Sequence, residues 1–411
     1  MPKGTIVGID IGSTKIATVV GQLQEGIIDI IGVGSANSLG VRKGMIVDLE
    51  ETISSLSASL EEAERMSGVT INEAIVSVSG SHISSERARG VVAVSKADGE
   101  INELDVERVV DAARSVNTPP NREVIHSVPL GFTVDGQKGI KDPIGMTGVR
   151  LEVEANIITG SSSVLKNMTR GLNQAGVNVL EYVFSPIATA RAITSKEQRE
   201  IGVLMLDIGS QTTNFAVIEE DQLLATGSIP LGSGHITNDL AIGLRTSIDI
   251  AEKIKINLGQ AMPAAVKQKT VSGKEYGYED GDIDPTLVAD ITEARLNEIL
   301  VMVKDQLRKV NKDSLLPAGA IVTGGGSLQS GLLGLIRETL KLPAAKGDIQ
   351  SELSGMVDNV SSPDYATSIG LVLWALEANK DMPRPWFNWH APDSLRDVVN
   401  KTKDIFKNLL P

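Results

Sequence analysis

Two aspartates that each end an apolar run are the residues of this chain best placed for chemistry. Residues 7–16 are apolar and β-branched up to Asp10 and continue with Ile-Gly-Ser and a threonine, and residues 204–213 repeat this pattern around Asp207. A tight turn of small residues exposes backbone N–H groups that can bind phosphate oxygens, and a carboxylate at a strand end can face a metal ion. One such run on its own is also compatible with an ordinary turn. Two copies facing each other would hold a nucleoside triphosphate from both sides.

A glycine-rich stretch at residues 322–328, Val-Thr-Gly-Gly-Gly-Ser-Leu, supplies a third candidate contact with a nucleotide. Consecutive glycines allow the backbone to approach a flat nucleobase closely. We expect a helix over residues 328–340 whose N-terminus points toward the ligand. Two phosphate turns followed by this loop favour a nucleotide-binding cleft between two halves of the chain.

The elements that must position these motifs alternate between strands and helices. Each aspartate run is followed by a second apolar run, which predicts a β-hairpin with the phosphate turn at its tip. Helices are expected at residues 49–67, where apolar residues recur at helical spacing, and at 235–258, between glycine-containing turns. Residues 84–159 mix short strands, one helix and a Pro/Gly-rich loop at 135–148, as expected of an inserted module. The repetition around the hairpin predicts an internally duplicated α/β architecture.

Composition argues against several classes of function. The 411 residues carry a formal net charge of −13, which argues against a general nucleic-acid-binding surface. The chain has no cysteine, so disulfides, thiolate catalysis and Cys-ligated zinc are excluded. Its four histidines are too scattered to suggest a metal site beyond magnesium bound with the nucleotide. No run approaches the ~18 apolar residues of a membrane span, and the first residues lack a targeting segment, so a cytoplasmic protein is expected.

The C-terminal segment predicts a second functional feature, an amphipathic helix at residues 393–411. A Pro-containing linker at 381–392 precedes it and carries two of the three tryptophans, a residue type that favours membrane interfaces. Basic residues flank the apolar face, so the helix would bind an anionic membrane; the commoner fate of such a helix is to pack on its own domain. The candidate membrane residues lie within an arc of roughly 140° on the helical wheel: Leu395, Val398, Val399, Ile405, Phe406, Leu409 and Leu410.

Three further stretches give the chain a resemblance to a known family. Residues 124–137 (Val-Ile-His-Ser-Val-Pro-Leu-Gly-Phe-Thr-Val-Asp-Gly-Gln), 145–153 and 236–241 resemble the FtsA family of bacterial cell-division proteins, within the superfamily of actin, sugar kinases and heat-shock chaperones. The resemblance covers nearly the whole chain. It implies an α/β, actin-like duplicated two-lobe fold with ribonuclease H-like halves, an inserted small α+β subdomain and a C-terminal amphipathic helix.

The resemblance and the element pattern together divide the chain into domains. Two lobe cores are each interrupted by another segment, and the tail follows them. The expected parts are residues 1–84 for the first lobe core, continued by 160–200 and 360–380; 85–159 for the inserted subdomain; 201–234 for the second lobe core, continued by 316–359; 235–315 for its outer subdomain; 381–392 for the linker; and 393–411 for the membrane-targeting helix.

By resemblance, the cleft binds ATP with Mg²⁺, and Asp10 is the acid that faces the metal. Glu252 and Lys255 are three residues apart on one predicted helix and resemble the pair that holds the ribose and base in related proteins; the alternative is a solvated helix face. The candidate ATP-binding residues are Asp10, Gly12, Ser13, Thr14, Lys15, Asp207, Gly209, Ser210, Gln211, Thr212, Thr213, Gly234, Glu252, Lys255, Gly324, Gly325, Gly326, Ser327 and Leu328.

One departure from related hydrolases concerns the chemistry. Those proteins carry Gln or Glu just before the helix that links the lobes, where it orients the attacking water, and Ser185 matches that position here. A hydroxyl positions water less firmly than a carboxylate or an amide. We therefore assign no catalytic residue and expect at most a slow ATPase. Glu181 is the alternative acid if the alignment is shifted by a turn.

The resemblance also implies partners and a location. The protein would polymerise and tether FtsZ filaments to the cytoplasmic face of the membrane at the division site. The C-terminal tail of FtsZ would dock on the outer subdomain, where Arg295 matches a basic family position; a solvated pairing along its own helix is the alternative. The inserted subdomain would contact later division proteins or the next protomer. Two other functions stay open: a pilus-assembly actin-like adaptor, which needs no membrane helix, and a phosphotransferase of the same superfamily, which needs an acid near the interlobe helix.

Overall fold

Five stretches of the chain are described by the computed structural model, namely residues 4–24, 27–116, 119–279, 281–351 and 353–378. The predicted linker at 381–392 and the predicted amphipathic helix at 393–411, with its candidate membrane residues, lie outside these stretches. Among the described residues, no helix has both the length and the apolar character needed to cross a membrane.

Strands and helices alternate along the described chain. The strands are β1 (Thr5–Ile11), β2 (Lys15–Gln24), β3 (Ile27–Asn37), β4 (Val41–Arg42), β5 (Met45–Ile46), β6 (Glu73–Val78), β7 (Ser84–Ala93), β8 (Arg122–Val134), β9 (Gln137–Ile140), β10 (Arg150–Ser161), β11 (Asn178–Phe184), β12 (Val203–Ile208), β13 (Thr213–Glu219), β14 (Gln222–Ile229), β15 (Val271–Ser272), β16 (Asp282–Ile283), β17 (Gly319–Thr323), β18 (Ala344–Lys346) and β19 (Leu353–Gly355). The helices are α1 (Leu49–Ser67), α2 (Glu103–Val116), α3 (Ser162–Gln174), α4 (Ser185–Ile193), α5 (Lys196–Ile201), α6 (Ser233–Leu244), α7 (Ile248–Leu258), α8 (Pro285–Lys309), α9 (Leu332–Leu340) and α10 (Ala366–Ala378).

In the first lobe, six of the described strands form one sheet in the order β11-β6-β1-β2-β3-β19. Strands β1 and β2 make an antiparallel hairpin, and β6 runs parallel to β1. Helix α1 has the bounds predicted for residues 49–67. The Asp48 side chain accepts a hydrogen bond from the Glu51 N–H at its start, and Gly68 in the left-handed conformation ends it. The hairpin presents its turn, residues 12–14, at one end of the sheet.

The second lobe repeats this arrangement with five described strands in the order β14-β13-β12-β17-β18. Strands β12 and β13 form the equivalent hairpin, and β17 runs parallel to β12 as β6 does to β1. Helices α6, α7, α8 and α9 surround a separate buried core on this lobe. The predicted duplication is confirmed, because each hairpin lies beside a parallel neighbour in an equivalent sheet.

The continuous helix predicted over residues 235–258 is wrong. The structure has two helices there, α6 and α7, which are separated by residues 245–247. Arg245 adopts the left-handed conformation and ends α6, and the Ser247 side chain accepts a hydrogen bond from the Ile250 N–H at the start of α7. A local N-cap therefore divides a stretch whose apolar residues suit one helix.

Helices α4 and α10 pack against each other between the two sheets and join the lobes. Helix α10 also contacts β1 and β2, while α4 contacts β12 and β13. The Thr189 and Thr367 hydroxyl oxygens are 2.9 Å apart, and a Cβ added at Gly370 would lie 2.0 Å from the Ala188 carbonyl oxygen. Because a larger residue cannot fit at this crossing, the glycine allows the two helices to approach closely. This pair determines how the two hairpins face each other.

Residues 84–161 form a separate sheet in the order β7-β10-β8-β9, with α2 packed on it and a buried core of its own. Asn156 Nδ2 donates a hydrogen bond to the Leu223 carbonyl oxygen at 2.7 Å, so this insert also contacts β14 at the edge of the second lobe. Part of the loop expected at 135–148 is the short strand β9, which pairs with β8. The predicted fold class is confirmed within the described stretches: an α/β, duplicated two-lobe fold with a small inserted α+β subdomain.

Candidate functional site

The tips of the two hairpins border a cavity of about 440 Å³ between the lobes. In the first turn the Gly12 N–H donates to the Lys15 carbonyl oxygen at 3.0 Å, and in the second the Gly209 N–H donates to the Thr212 carbonyl oxygen at 2.9 Å. A Cβ at Gly12 would lie 2.7 Å from the oxygen that its own N–H binds. Glycine therefore allows the turn to close, and the two turns share one internal geometry, as the repeated sequence predicts.

Asp10 and Asp207 place one carboxylate from each lobe at this cavity. Asp10 accepts a hydrogen bond from Ser77 Oγ at 2.5 Å, and Asp207 accepts one from Asn214 Nδ2 at 3.1 Å. Burial raises the pKa of Asp10 against the effect of the Ser77 hydrogen bond. Burial also raises the pKa of Asp207 to about 6, and the negative charge of Asp10 adds to that shift. The negative charges of the two carboxylates repel each other, so a cation bound between them would stabilise their ionised forms.

The Lys15 ammonium group is held by the turn that precedes α10. Its Nζ lies 2.6 Å from Asp364 Oδ2 and 3.3 Å from the centroid of the Tyr365 ring. Burial would raise the pKa of Asp364, but the hydrogen bond from Lys15 and the positive charge of that lysine hold it below its ordinary value. The lysine predicted to bind phosphate therefore already has a carboxylate partner in its own chain.

The glycine loop predicted to meet a nucleobase approaches the end of β12. Gly324 has a φ of +81°, and a Cβ there would lie 2.3 Å from Asp207 Oδ1. A Cβ at Gly326 would lie 2.5 Å from the Ile208 side chain, whereas a Cβ at Gly325 would meet no atom within 4 Å. Two of these glycines are therefore required by contact with β12, and Gly325 leaves open space in which a flat ligand could lie.

The helix expected to point at the ligand begins later than predicted. A short 3-10 turn covers Gly325–Leu328, and α9 starts at Leu332 after Gly331, which adopts the left-handed conformation. No residue of α9 lines the cavity within the described part of the chain. Residues 329–331 therefore separate α9 from the glycine loop, and the predicted start of this helix at residue 328 is wrong.

Glu252 and Lys255 line the cavity from α7. The Lys255 side chain is buried, and its Nζ donates to Glu252 Oε2 at 2.6 Å and to Thr237 Oγ1 at 3.0 Å. The Thr237 hydroxyl on α6 also donates to Glu252. Because a buried ammonium group needs such partners, the pair is not a simple solvated helix face. Its role toward a ribose and base stays a prediction.

Ser185, the first residue of α4, is buried and borders the cavity. Its hydroxyl donates to the Val78 carbonyl oxygen at 3.0 Å, so this group is already bonded to β6. The alternative acid, Glu181, does not line the cavity, and its Oε2 accepts a hydrogen bond from the Trp374 indole N–H at 3.1 Å. Both side chains are therefore hydrogen-bonded to other parts of the chain.

Most of the predicted binding residues meet at this cavity. Those that line it are Asp10, Gly12, Ser13, Thr14, Lys15, Asp207, Gly209, Ser210, Gln211, Thr212, Glu252, Lys255, Gly324, Gly325, Gly326 and Leu328. Three others do not reach its wall. The Thr213 hydroxyl donates to the Leu231 carbonyl oxygen, and the Gly234 N–H donates to the Ser210 carbonyl oxygen at 2.7 Å. Ser327 is buried away from the wall. These residues support the binding loops from behind.

Sequence reasoning missed several residues of the cavity wall. Asn214 lies opposite Asp207 in the register of β12 and β13, so the alternation of the hairpin could have identified it. Asp364 contacts a lysine 349 residues away, and no spacing rule connects the two positions. Gln211 has a further use, since its Oε1 accepts a hydrogen bond from the Lys43 N–H across the cleft at 2.9 Å.

Arg295, predicted to contact a partner protein, is paired within its own chain. Its Nε and one terminal nitrogen donate to the two oxygens of Asp239 at 2.7 and 3.0 Å, and its other terminal nitrogen donates to Glu298. Glu298 lies on the same helix, α8, but Asp239 lies on α6. A docking carboxylate would therefore compete with a bidentate pair that joins two helices.

The cavity wall fits a nucleotide bound with magnesium. Asn214 Oδ1 is a buried acceptor atom without a hydrogen-bond partner, and a magnesium ion with its water shell would satisfy such an oxygen. In the described stretches, no group of three or more His, Asp or Glu side chains could hold a metal ion by itself. A magnesium ion would therefore need ligands from the nucleotide phosphates as well.

Known proteins are similar to this chain in sequence and in fold. One family model, described as "SHS2 domain inserted in FTSA", matches residues 80–159, and another, "Cell division protein FtsA", matches residues 204–370. The cell division protein FtsA of Borreliella burgdorferi is 38% identical over 384 residues, covering 92% of this chain and 93% of that protein.

Two solved structures share the fold at low identity. The PilM-PilN type IV pilus biogenesis complex aligns with a TM-score of 0.66 and 17% identity, covering 91% of this chain and 99% of that one. MreB5 of Spiroplasma citri bound to ADP aligns with a TM-score of 0.53 and 12% identity, covering 91% and 96%. These likenesses show the actin-like two-lobe fold and nothing beyond it.

Proposed function

This chain belongs to the FtsA family of bacterial cell-division proteins, and from that premise we propose that it binds ATP with Mg²⁺, forms filaments and tethers FtsZ to the membrane. The bound nucleotide would hold the lobes in a shape that assembles. The segment at 393–411 would bind anionic lipid on the cytoplasmic face at the division site, and the insert would recruit later division proteins.

The observation that supports nucleotide binding most directly is the meeting of both phosphate turns and the glycine loop at one interlobe cavity. Asp10 and Asp207 would hold a magnesium ion bound with the phosphates, and that ion would neutralise phosphate charge. Glu252 and Lys255 would hold the ribose and base. A fold neighbour, MreB5 of Spiroplasma citri, was solved bound to ADP.

Titration of the full chain with a fluorescent ATP analogue and Mg²⁺ tests this part of the proposal. Asp10→Asn should weaken binding at least about tenfold, because it removes a charge that would face the metal. Asp290→Asn removes an equal charge from an exposed position on α8 and should leave binding unchanged. Failure of the unsubstituted protein to bind would overturn the proposal.

Hydrolysis is proposed to be slow, with ATP acting mainly on shape. The Ser185 hydroxyl is bonded to the Val78 carbonyl oxygen, and Glu181 is bonded to Trp374. Measured turnover of about 1–100 per second, the range of kinases, would contradict this part of the proposal.

Membrane tethering is tested by flotation of the full chain with anionic lipid vesicles. Phe406→Asp places a charge on the apolar face and should abolish flotation, whereas Asp404→Asn changes the polar face and should preserve it. With ATP and Mg²⁺, the floating protein should recruit FtsZ filaments to the vesicles. Equal flotation of a chain lacking residues 395–411 would exclude a membrane role for the tail.

FtsZ docking is proposed on the outer subdomain, predicted at residues 235–315, with Arg295 as one contact. Arg295→Ala should weaken binding of a peptide with the FtsZ C-terminal sequence. Arg308→Ala is the matched control, since Arg308 lies on the same helix and also pairs with carboxylates. Equal effects of the two variants would argue against a specific contact.

The two other candidate functions have less support. The pilus-adaptor function rests on a shared fold at 17% identity, whereas the FtsA relationship rests on sequence. A phosphotransferase would need an acid near the interlobe helix, where Ser185 is found. A phosphoacceptor screen tests this function directly.

We also propose the domain boundaries predicted above, with the insert at 85–159.

A further inference from the structure

Lys15 is the cation of the first phosphate turn, and it forms an ion pair with Asp364. The two charged atoms are 2.6 Å apart, with side chains 23% and 40% exposed. The Tyr365 ring contacts the same ammonium group, so Lys15 has a carboxylate and an aromatic face around it. A phosphate that binds Lys15 would lie beside the Asp364 carboxylate, and two neighbouring anions repel each other.

At both lysines of the cavity wall, a bound phosphate would compete with a carboxylate of the protein. The titratable residues of the described wall are Asp10, Asp207, Glu252, Asp364, Lys15 and Lys255. Each lysine lies 2.6 Å from a carboxylate of the same wall. Before a polyanionic ligand can use either ammonium group fully, an internal acid has to give way or a cation has to offset it.

Of the two carboxylates that pair with these lysines, Asp364 is held by fewer hydrogen bonds than Glu252 and should be displaced more easily. Asp364 Oδ1 is buried and has no hydrogen-bond partner, so only one of the two carboxylate oxygens accepts a hydrogen bond in this position. If Asp364 turned toward solvent, water would satisfy that oxygen and offset part of the loss of a partly exposed ion pair. Glu252, by contrast, accepts hydrogen bonds from both Thr237 and Lys255.

The turn that carries Asp364 also contacts the second lobe. The Pro363 carbonyl oxygen accepts hydrogen bonds from Thr323 Oγ1 at 2.9 Å and from the Gly324 N–H at 3.4 Å. Helix α10 begins at Ala366, directly after this turn. A movement of Asp364 would therefore reach the glycine loop of the second lobe and the helix that packs between the lobes.

We propose that Asp364 is an internal competitor for Lys15. The lysine exchanges from the Asp364 carboxylate to the phosphate chain when a nucleotide binds, and the turn at residues 363–365 shifts as a result. Asp364 thus sets the nucleotide affinity of the cavity and links its occupancy to α10. This inference rests on the proposed nucleotide binding.

The test is Asp364→Asn in the full chain, which removes the charge and keeps the size of the side chain. Titration with a fluorescent ADP analogue and Mg²⁺ should give a Kd about five- to tenfold lower than that of the unsubstituted protein. Asp358→Asn removes an equal charge from an exposed position nearby and should change the Kd less than about twofold. In a Lys15→Met background, Asp364→Asn should have no effect on the Kd, since the competition needs both groups.

Thermal unfolding supplies a second readout. Without nucleotide, Asp364→Asn should lower the unfolding temperature, because the ion pair is lost, but the rise on adding ADP and Mg²⁺ should exceed that of the unsubstituted protein. A purely structural role would lower the unfolding temperature with and without nucleotide and leave the Kd unchanged.

The outcomes separate this inference from the proposed function. If the unsubstituted protein binds nucleotide and Asp364→Asn binds it equally or more weakly, the competitor role is wrong and nucleotide binding stands. If neither protein binds, both proposals are wrong. Tighter binding by Asp364→Asn that persists in the Lys15→Met background would also overturn the inference, because the effect would then not pass through Lys15.

Discussion

Acidification should destabilise this protein through His126, a residue on β8 where the insert meets the first lobe. The side chain is 4% exposed, and its Nε2 accepts a hydrogen bond from the Phe184 N–H at 3.0 Å. Burial lowers its pKa from 6.5 to about 3. Between these values the unfolded chain binds a proton that the folded chain does not, so stability falls as the pH falls below 6.5. From pH 7 to pH 5 this linkage amounts to about 2 kcal/mol.

Comparison with His126→Gln isolates the effect, because glutamine keeps an acceptor for the Phe184 N–H and does not titrate. Urea unfolding at pH 7 and pH 5 should show that the free energy of unfolding of the unsubstituted protein falls by about 2 kcal/mol more than that of the variant between these pH values. The protection factor of the Phe184 amide, which corrects the exchange rate for its intrinsic pH dependence, should fall more between pH 7 and pH 5 in the unsubstituted protein than in His126→Gln. A difference that stays constant with pH would refute the reasoning.

Three further predictions concern two glycines and the second carboxylate. Gly324→Ala should weaken nucleotide binding at least about tenfold in calorimetric titration, since its Cβ would lie 2.3 Å from Asp207 Oδ1; unchanged affinity would contradict this packing. The raised pKa of Asp207, about 6, means that its contribution to stability is complete below pH 3.8 and is lost as the pH rises through 6. Asp207→Asn should therefore be about 3 kcal/mol more stable than the unsubstituted protein at pH 8 and nearly equal to it at pH 4 in thermal scans, while losing nucleotide. Gly370→Ala should cost about 3 kcal/mol in urea unfolding, because its Cβ would lie 2.0 Å from the Ala188 carbonyl oxygen. Gly131→Ala, with its nearest atom 3.9 Å away, is the control for that glycine.

Features that depend on neighbouring residues could be predicted from the sequence. Helix α1 has its predicted bounds because Asp48 and Gly68 cap it, and both residues are adjacent to the apolar pattern. The same kind of local signal explains the error at 235–258. Ser247 is a good N-cap residue, but the apolar residues around it also suit one continuous helix, and the cap prevailed in the structure.

The duplication and the two aspartate turns could be predicted from the sequence, because apolar periodicity and turn chemistry act over a few residues; the family was indicated by the resemblance of particular stretches. Which acid pairs with which base depends on the tertiary structure. Asp364 reaches Lys15 across 349 residues, and Ser77 reaches Asp10 across 67. Periodicity reports which face of an element is buried, but it carries no information about the partner on the other side. That partner depends on how α4 and α10 set the two lobes against each other.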